Sequence, residues 1–245
     1  MRIYHYTSID VLALILKNRT IRFTRLDNVD DPEEYGFEID GLNPAKYTYV
    51  SCWTRNSIES IPQWLIYGNK RHGVRLSFDS DLFNIKENQV RNVKEWFTNE
   101  EMREWDYMIM PILNNRILYD IQYVTNPADY KKNIFVNINE ETGIDMKEVG
   151  VYKKLDWAFQ KECRYTIQAF PKNAKGTYNH LSFYLENNLY CSNKYIDIPI
   201  KETALNSIEI VLGPDTTEAE RILVESLCYR FIGRNVIQDS VFKGL

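Results

Sequence analysis

Tyr4-His5-Tyr6-Thr7-Ser8 stands at the head of the chain, with an imidazole and the Thr7 hydroxyl two residues apart. The chain has three histidines, and one placed on a first strand is a candidate for binding or proton chemistry. The competing reading is a core histidine whose ring nitrogens are satisfied by backbone. Glu162, between Lys161 and Arg164, reads on its own as one half of a strand-edge ion pair. Trp64 and Tyr67 stand at helical spacing, where aromatic residues suit a core. Arg22, Arg25 and Arg75 lie on or beside expected strands near His5. Five carboxylates fall between Asp27 and Glu34. Their spacing does not match an EF-hand loop, and acidic side chains favour helix starts, so no metal site is expected there.

Other chemistries lack their motifs. The chain has no Gly-x-Ser-x-Gly, no phosphate-binding Walker loop and no paired-glycine dinucleotide fingerprint. His72 beside Arg71 reads as surface, and the Lys131-Lys132 and Lys153-Lys154 pairs read as solvated faces.

The elements that must position these groups follow from patterning. Arg2 to Tyr6 reads as a strand, Thr7 or Ser8 as the cap of a helix reaching Asn18, and Thr20 to Thr24 as a second strand. Pro32 suits the first turn of a helix capped by Asp31. Lys46 to Thr54 reads as a strand, Ser57 to Tyr67 as a helix, and Gly73 to Phe78 as a strand. Aromatic spacing through Trp96, Phe97, Trp105 and Tyr107 suggests a helix ending before Pro111, and a further helix is expected from Asp145 to Gln160. Glu162 to Phe170, Tyr195 to Ile200 and Ile208 to Leu212 read as strands. A helix from Thr217 to Phe231, with Asp215 and Glu218 as its capping pair, and a strand from Asn235 to Asp239 complete a βαβ close. The expectation is a single α+β domain over 1–245, with a mixed, partly split sheet and a charged elaboration at about 84–150.

The 245 residues are 44% hydrophobic, enough for a substantial core, and the net charge of −4 gives no support for nucleic acid as a partner. The four cysteines are far apart, without zinc-type spacing. No signal peptide or membrane-length apolar run appears. These features predict a soluble cytoplasmic protein with free thiols and no membrane association.

Read together and in order, Tyr4-His5-Tyr6-Thr7-Ser8, Arg22-Phe23-Thr24-Arg25-Leu26, Asp30-Asp31-Pro32-Glu33, Ser51-Cys52-Trp53, Trp64-Leu65-Ile66-Tyr67, Gly73 through Asp79 and Lys161 through Tyr165 resemble the bacterial domain-of-unknown-function family 2971. Asp30-Asp31-Pro32 departs from the Asn-Asp-Pro turn expected in it, and that family name assigns no chemistry. The His-x-Thr strand, aliphatic helix and short strand are also similar to the start of the ADP-ribosyltransferase fold. That resemblance implies NAD as substrate. It places His5, with Thr7 beside it, at the adenosine-side ribose, Tyr67 (with Trp64 as rival) at nicotinamide, and Glu162 at the nicotinamide ribose. Arg22, Arg25 and Arg75 would then serve the pyrophosphate.

Cleaving the nicotinamide bond develops oxocarbenium charge, which a nearby carboxylate stabilises. The leading expectation is therefore a transferase that modifies a macromolecular acceptor or hydrolyses NAD, in bacterial stress or phage defence. On this expectation Glu162→Gln abolishes turnover and leaves stability almost unchanged. The alternatives are a non-catalytic nucleotide-binding or protein-interaction module, and a metal-dependent nucleic-acid enzyme using the Asp27–Glu34 run.

Overall fold

The computed structural model describes residues 1–31, 34, 43–112, 116–138, 141–173, 175, 177, 179 and 181–244. Strand β1 (Arg2–Thr7) leads into helix α1 (Ile9–Asn18). Ser8 caps α1 by accepting from the Val11 amide, Asp10 and Lys17 complement its two ends, and Leu12, Ile15 and Leu16 form its buried stripe. Arg19 closes the helix in the left-handed region at φ 53° and turns the chain into β2 (Thr20–Arg25). After it come β3 (Thr48–Thr54), α2 (Ile61–Ile66) and β4 (Val74–Asp79). The later principal elements are β5 (Glu162–Pro171), β6 (Tyr195–Pro199), β7 (Glu209–Leu212), α3 (Glu218–Phe231) and β8 (Ile237–Asp239).

A large mixed sheet organises the chain in the order β6-β2-β3-β1-β4-β7-β8, giving an α+β architecture. Its pairs are antiparallel except β7 and β8, which are parallel and joined through α3. Strand β5 covers β3 from Glu162↔Thr54 to Gln168↔Thr48 and so occupies one whole edge of it. Strands β1 and β2 must share the other edge. Strand β2 pairs at Tyr49 and Val50, and β1 pairs at Thr54 alone. The sheet is therefore split along β3, beside Ser51, Cys52 and Trp53. Beyond β5 the short strands Tyr107–Ile109 and Leu118–Asp120 extend the sheet.

Fully buried Leu12 and Leu16 of α1 share the main core with Val224 and Cys228 of α3. Each such apolar side chain contributes about 1.5–3 kcal/mol by leaving water. Phe23, Phe83 and Trp96 meet edge to face in the same core. Two glycines are fixed by close backbone approach: a Cβ on Gly73 would lie 2.2 Å from the Thr7 carbonyl oxygen, and one on Gly213 would lie 2.0 Å from that of Arg71. The four cysteines are free thiols. Among the described residues no helix is long and apolar enough to cross a membrane.

Several local expectations are overturned. In place of a helix over 145–160, Tyr152–Lys154 is a strand parallel to Gln122–Val124, and Leu155–Gln160 is a 3-10 helix. Gly150 at φ 76° interrupts the helical pattern, and Lys153 is drawn inward by buried carboxylates. The aromatic run from Trp96 to Tyr107 forms turns and a short strand, because its rings pack on the core and on one another. The helix expected from Ser57 begins only at Ile61, after the Ser60 cap. Thr217 and Glu220 form the capping box of α3, rather than Asp215 and Glu218. The turn expected at Pro32 lies outside the described residues.

Candidate functional site

A cleft of about 340 Å³ opens at the split in the sheet, a size that accommodates a small ligand. His5 and Tyr4 enter from β1, Arg22 and Thr24 from β2, and Cys52 from β3, while Gln63, Tyr67, Lys153, Trp157, Gln160, Glu162 and Arg164 line it from the surrounding elements.

His5 fills the gap that a continuous sheet would close with backbone. Its Nδ1 lies 2.9 Å from the carbonyl oxygen of Cys52. A carbonyl only accepts, so Nδ1 carries the proton. Burial lowers the imidazole below its usual range, outweighing the opposite pull of that carbonyl. The ring is therefore neutral at pH 7, leaving Nε2 as a hydrogen-bond acceptor. Trp53 packs against it with ring centres 5.1 Å apart.

The same cleft is lined by a buried cluster of two carboxylates and two cations. Arg164 donates through Nε to Glu162 and through NH1 to Glu34, and also to the Gly150 carbonyl at 3.0 Å. Lys153 Nζ lies 2.9 Å from Glu34 and 3.1 Å from Glu162. All four side chains are under 7% exposed, so their charges must balance within the cluster. Burial opposes ionisation of Glu162, but Arg164 and Lys153 outweigh it and hold the carboxyl well below its usual range. Burial likewise opposes charge on Lys153, and Glu162 and Glu34 overcome it. The Cys52 thiol is pushed well up by burial and then by Glu162, which keeps it protonated and unreactive.

Helix α2 separates the two aromatic candidates. Gln63 and Tyr67, one turn apart, both reach the cleft. Trp64 is fully buried, meets Tyr6 edge to face at 4.8 Å and donates to Glu59 at 2.9 Å. Tyr67 accepts from Gln160 Nε2 at 2.7 Å, and burial raises its hydroxyl to about 12. Glu162 follows Lys161, whose φ of 44° ends the 3-10 helix, and Gln160 and Glu162 both line the cleft.

The remaining expected residues sit as follows. Thr7 is buried in β1, paired with Val74 of β4, and is not among the residues lining the cleft. Arg22 reaches the cleft but holds Asp197 in a two-pronged bond of 2.9 and 3.0 Å, and its guanidinium lies 3.7 Å over Tyr195. Arg25 is spent on Asp27, at 2.7 and 3.1 Å, and on the Cys191 carbonyl. Arg75 holds the carbonyls of Asn56 and Ser57 at 2.7 and 2.8 Å and lies over Tyr4. Arg25 and Arg75 thus brace the walls rather than line the cleft.

Residues passed over in the sequence are as prominent as those singled out. Lys153 is no solvated lysine, being 5% exposed. Trp157 lines the cleft beneath the Lys153 ammonium, 4.9 Å from it. Gln63 and Gln160 carried no motif, and Glu34 figured only as the end of the acidic run. The one available signal was the Glu-x-Arg alternation of 162 and 164, which puts opposite charges on the same face of a strand otherwise rich in buried residues. Among the described residues, no three His, Cys, Asp or Glu side chains gather as a metal centre requires. Within the acidic run, Asp27 and Glu34 are neutralised by Arg25, Arg164 and Lys153.

No family model matches the chain, and comparison with curated proteins and with solved structures gives no match either. The family and fold resemblances therefore rest on the quoted residues.

Proposed function

We propose that the cleft is the active site of an ADP-ribosyltransferase-like enzyme that consumes NAD, passing ADP-ribose to a macromolecular acceptor or to water, in bacterial stress or phage defence. The observation carrying this reading is that His5 and Glu162, far apart in sequence, line one cleft at a split in the sheet. Neutral His5 accepts a ribose hydroxyl through Nε2. Tyr67 holds the nicotinamide ring, and ionised Glu162 stabilises the positive charge that develops as the ring departs. The test is nicotinamide release from NAD by the purified chain. No release, and no thermal shift with NAD or ADP-ribose, would remove the reading.

A second reading has its own observation. Both Glu162 oxygens are already engaged, one by Arg164 and one by Lys153, and Arg25 and Arg75 are spent elsewhere. This favours a non-catalytic nucleotide-binding module, in which the cluster shapes the pocket without taking part in turnover. A thermal shift with NAD but no nicotinamide release would select it.

A further inference from the structure

The turn that follows Tyr67 is held in a conformation its residues resist. Asn69, Lys70 and Arg71 have φ of 47°, 52° and 76°, so three successive residues bearing a Cβ occupy the left-handed region. A Cβ there crowds the following carbonyl, and single glycines or asparagines are its usual occupants. Strain of this kind persists only where the surrounding structure over-determines it. The side chains of Asn69 and Lys70 are exposed and make no hydrogen bond or ion pair among the described residues. The turn is therefore locked by its backbone and its flanks.

Two sets of bonds lock it. Toward the cleft, the Arg71 amide donates to the Trp64 carbonyl at 3.1 Å and the Gly73 amide to that of Gly68 at 2.8 Å. The Tyr67 and Gly68 amides share the Gln63 carbonyl at 2.9 and 3.1 Å. A Cβ on Gly68 would lie 2.5 Å from the Trp64 ring, so the chain passes close against α2. Toward α3, Arg71 Nε lies 3.0 Å from Asp215, and the Arg71 carbonyl accepts from the Asp215 amide at 3.2 Å. His72 Nδ1 lies 3.1 Å from Glu220, a member of the α3 capping box. The turn thus ties the start of α3 to the end of α2, where Gln63 and Tyr67 line the cleft. The left-handed well is narrow for a residue with a Cβ and broad for glycine. Three such residues in a row make a stiff strut, where glycines would follow the same path with more play.

We infer that Asn69, Lys70 and Arg71 are positioning residues, whose strained turn holds Tyr67 in the cleft wall through the backbone of α2. Lys70→Gly tests this against Lys70→Ala, which loses the same side chain but keeps the Cβ. Thermal unfolding of the full chain should place the Lys70→Gly midpoint about 2–4 °C above that of Lys70→Ala. Asn69→Gly should gain less, because asparagine tolerates the left-handed region. Amide hydrogen exchange should move the opposite way. Protection of the Tyr67 and Arg71 amides falls roughly threefold or more in Lys70→Gly and holds in Lys70→Ala. A turn that serves stability alone would instead gain protection as the midpoint rises. The KM for NAD should rise roughly threefold or more in Lys70→Gly and hold in Lys70→Ala. That kinetic arm rests on the proposed NAD reading; the exchange arm does not. No rise in midpoint over the alanine variant, protection that holds or increases, or an unchanged KM overturns the assignment. No turnover of NAD by the unsubstituted protein would sink the enzymatic reading, and the exchange comparison would still decide the role of the turn.

Discussion

The imidazole Nδ1 of His5 stands 2.9 Å from the backbone oxygen of Cys52, on the stretch of β3 that neither β1 nor β2 covers. One side chain thereby satisfies a carbonyl exposed by the split and fixes its own tautomer. His5→Phe keeps a flat ring but leaves that acceptor without its donor, and should cost about 1–3 kcal/mol in urea unfolding. It also removes the Nε2 acceptor, so ADP-ribose binding should fall in the folded variant. Unchanged stability would mean that water or backbone movement replaces the bond at no cost.

Acid should destabilise the protein in two stages. The folded-state pKa of His5 lies below its unfolded value of 6.5. The unfolded chain therefore binds this proton first, and stability present above pH 6.5 declines as pH falls below it. Glu162 is depressed from 4.5 to about 2, so its contribution is held above pH 4.5 and lost between there and pH 2. Urea midpoints measured from pH 7.5 to 3.5 should show both slopes. The first should flatten in His5→Gln, and an unchanged slope in that variant would assign it to another group.

Removing one charge from the buried cluster strands its partners. Glu162→Gln leaves Lys153 and Arg164 facing Glu34 alone, and a loss of about 3 kcal/mol is expected. This reverses the sequence-based expectation that the substitution spares stability, so activity must be assayed at a temperature where the variant remains folded. Lys153→Met should cost a similar amount. The double variant, which removes one charge of each sign, should recover much of the combined loss. Strict additivity would show that the four groups do not act as a unit.

Arg22 is the cleft-lining cation with the most exposed side chain, at 49%. Its pair with Asp197 lies at the surface, so Arg22→Ala should change stability by less than about 1 kcal/mol. Under the proposed function it is the arginine best placed to turn to a pyrophosphate, since Arg25 and Arg75 face other partners. ADP-ribose affinity should fall in Arg22→Ala while nicotinamide affinity holds. Equal loss of both, measured by calorimetry, would assign Arg22 to wall structure.

Local grammar made much of this fold legible. Ser8 before an apolar stripe, the alternation of Ile21 and Phe23, and the β-rich run ending at Thr54 each gave an element close to its observed place. The strand–helix–strand close was readable from the apolar strand entering Gly213, the capping residues ahead of α3 and Gly233 after it. Residues 145–160 were misread because their spacing is helical while Lys153 is pulled inward by Glu34 and Glu162, partners remote in sequence or hidden in the next strand. The same long-range pairing concealed the site. His5 could be named from type and position, and Tyr67 and Glu162 through the resemblance, but Gln160 and Trp157 gain meaning only when Leu155–Gln160 folds against the split. Trp64 and Tyr67 could not be separated until α2 fixed which face turns to the core.

The most direct measurement is nicotinamide released from NAD by the intact chain, followed by chromatography alongside a thermal shift with NAD. The account expects NAD to stabilise the protein and nicotinamide to accumulate with time, with the rate falling at least tenfold in folded Glu162→Gln. No stabilisation and no nicotinamide, with or without a macromolecular acceptor fraction, would contradict it.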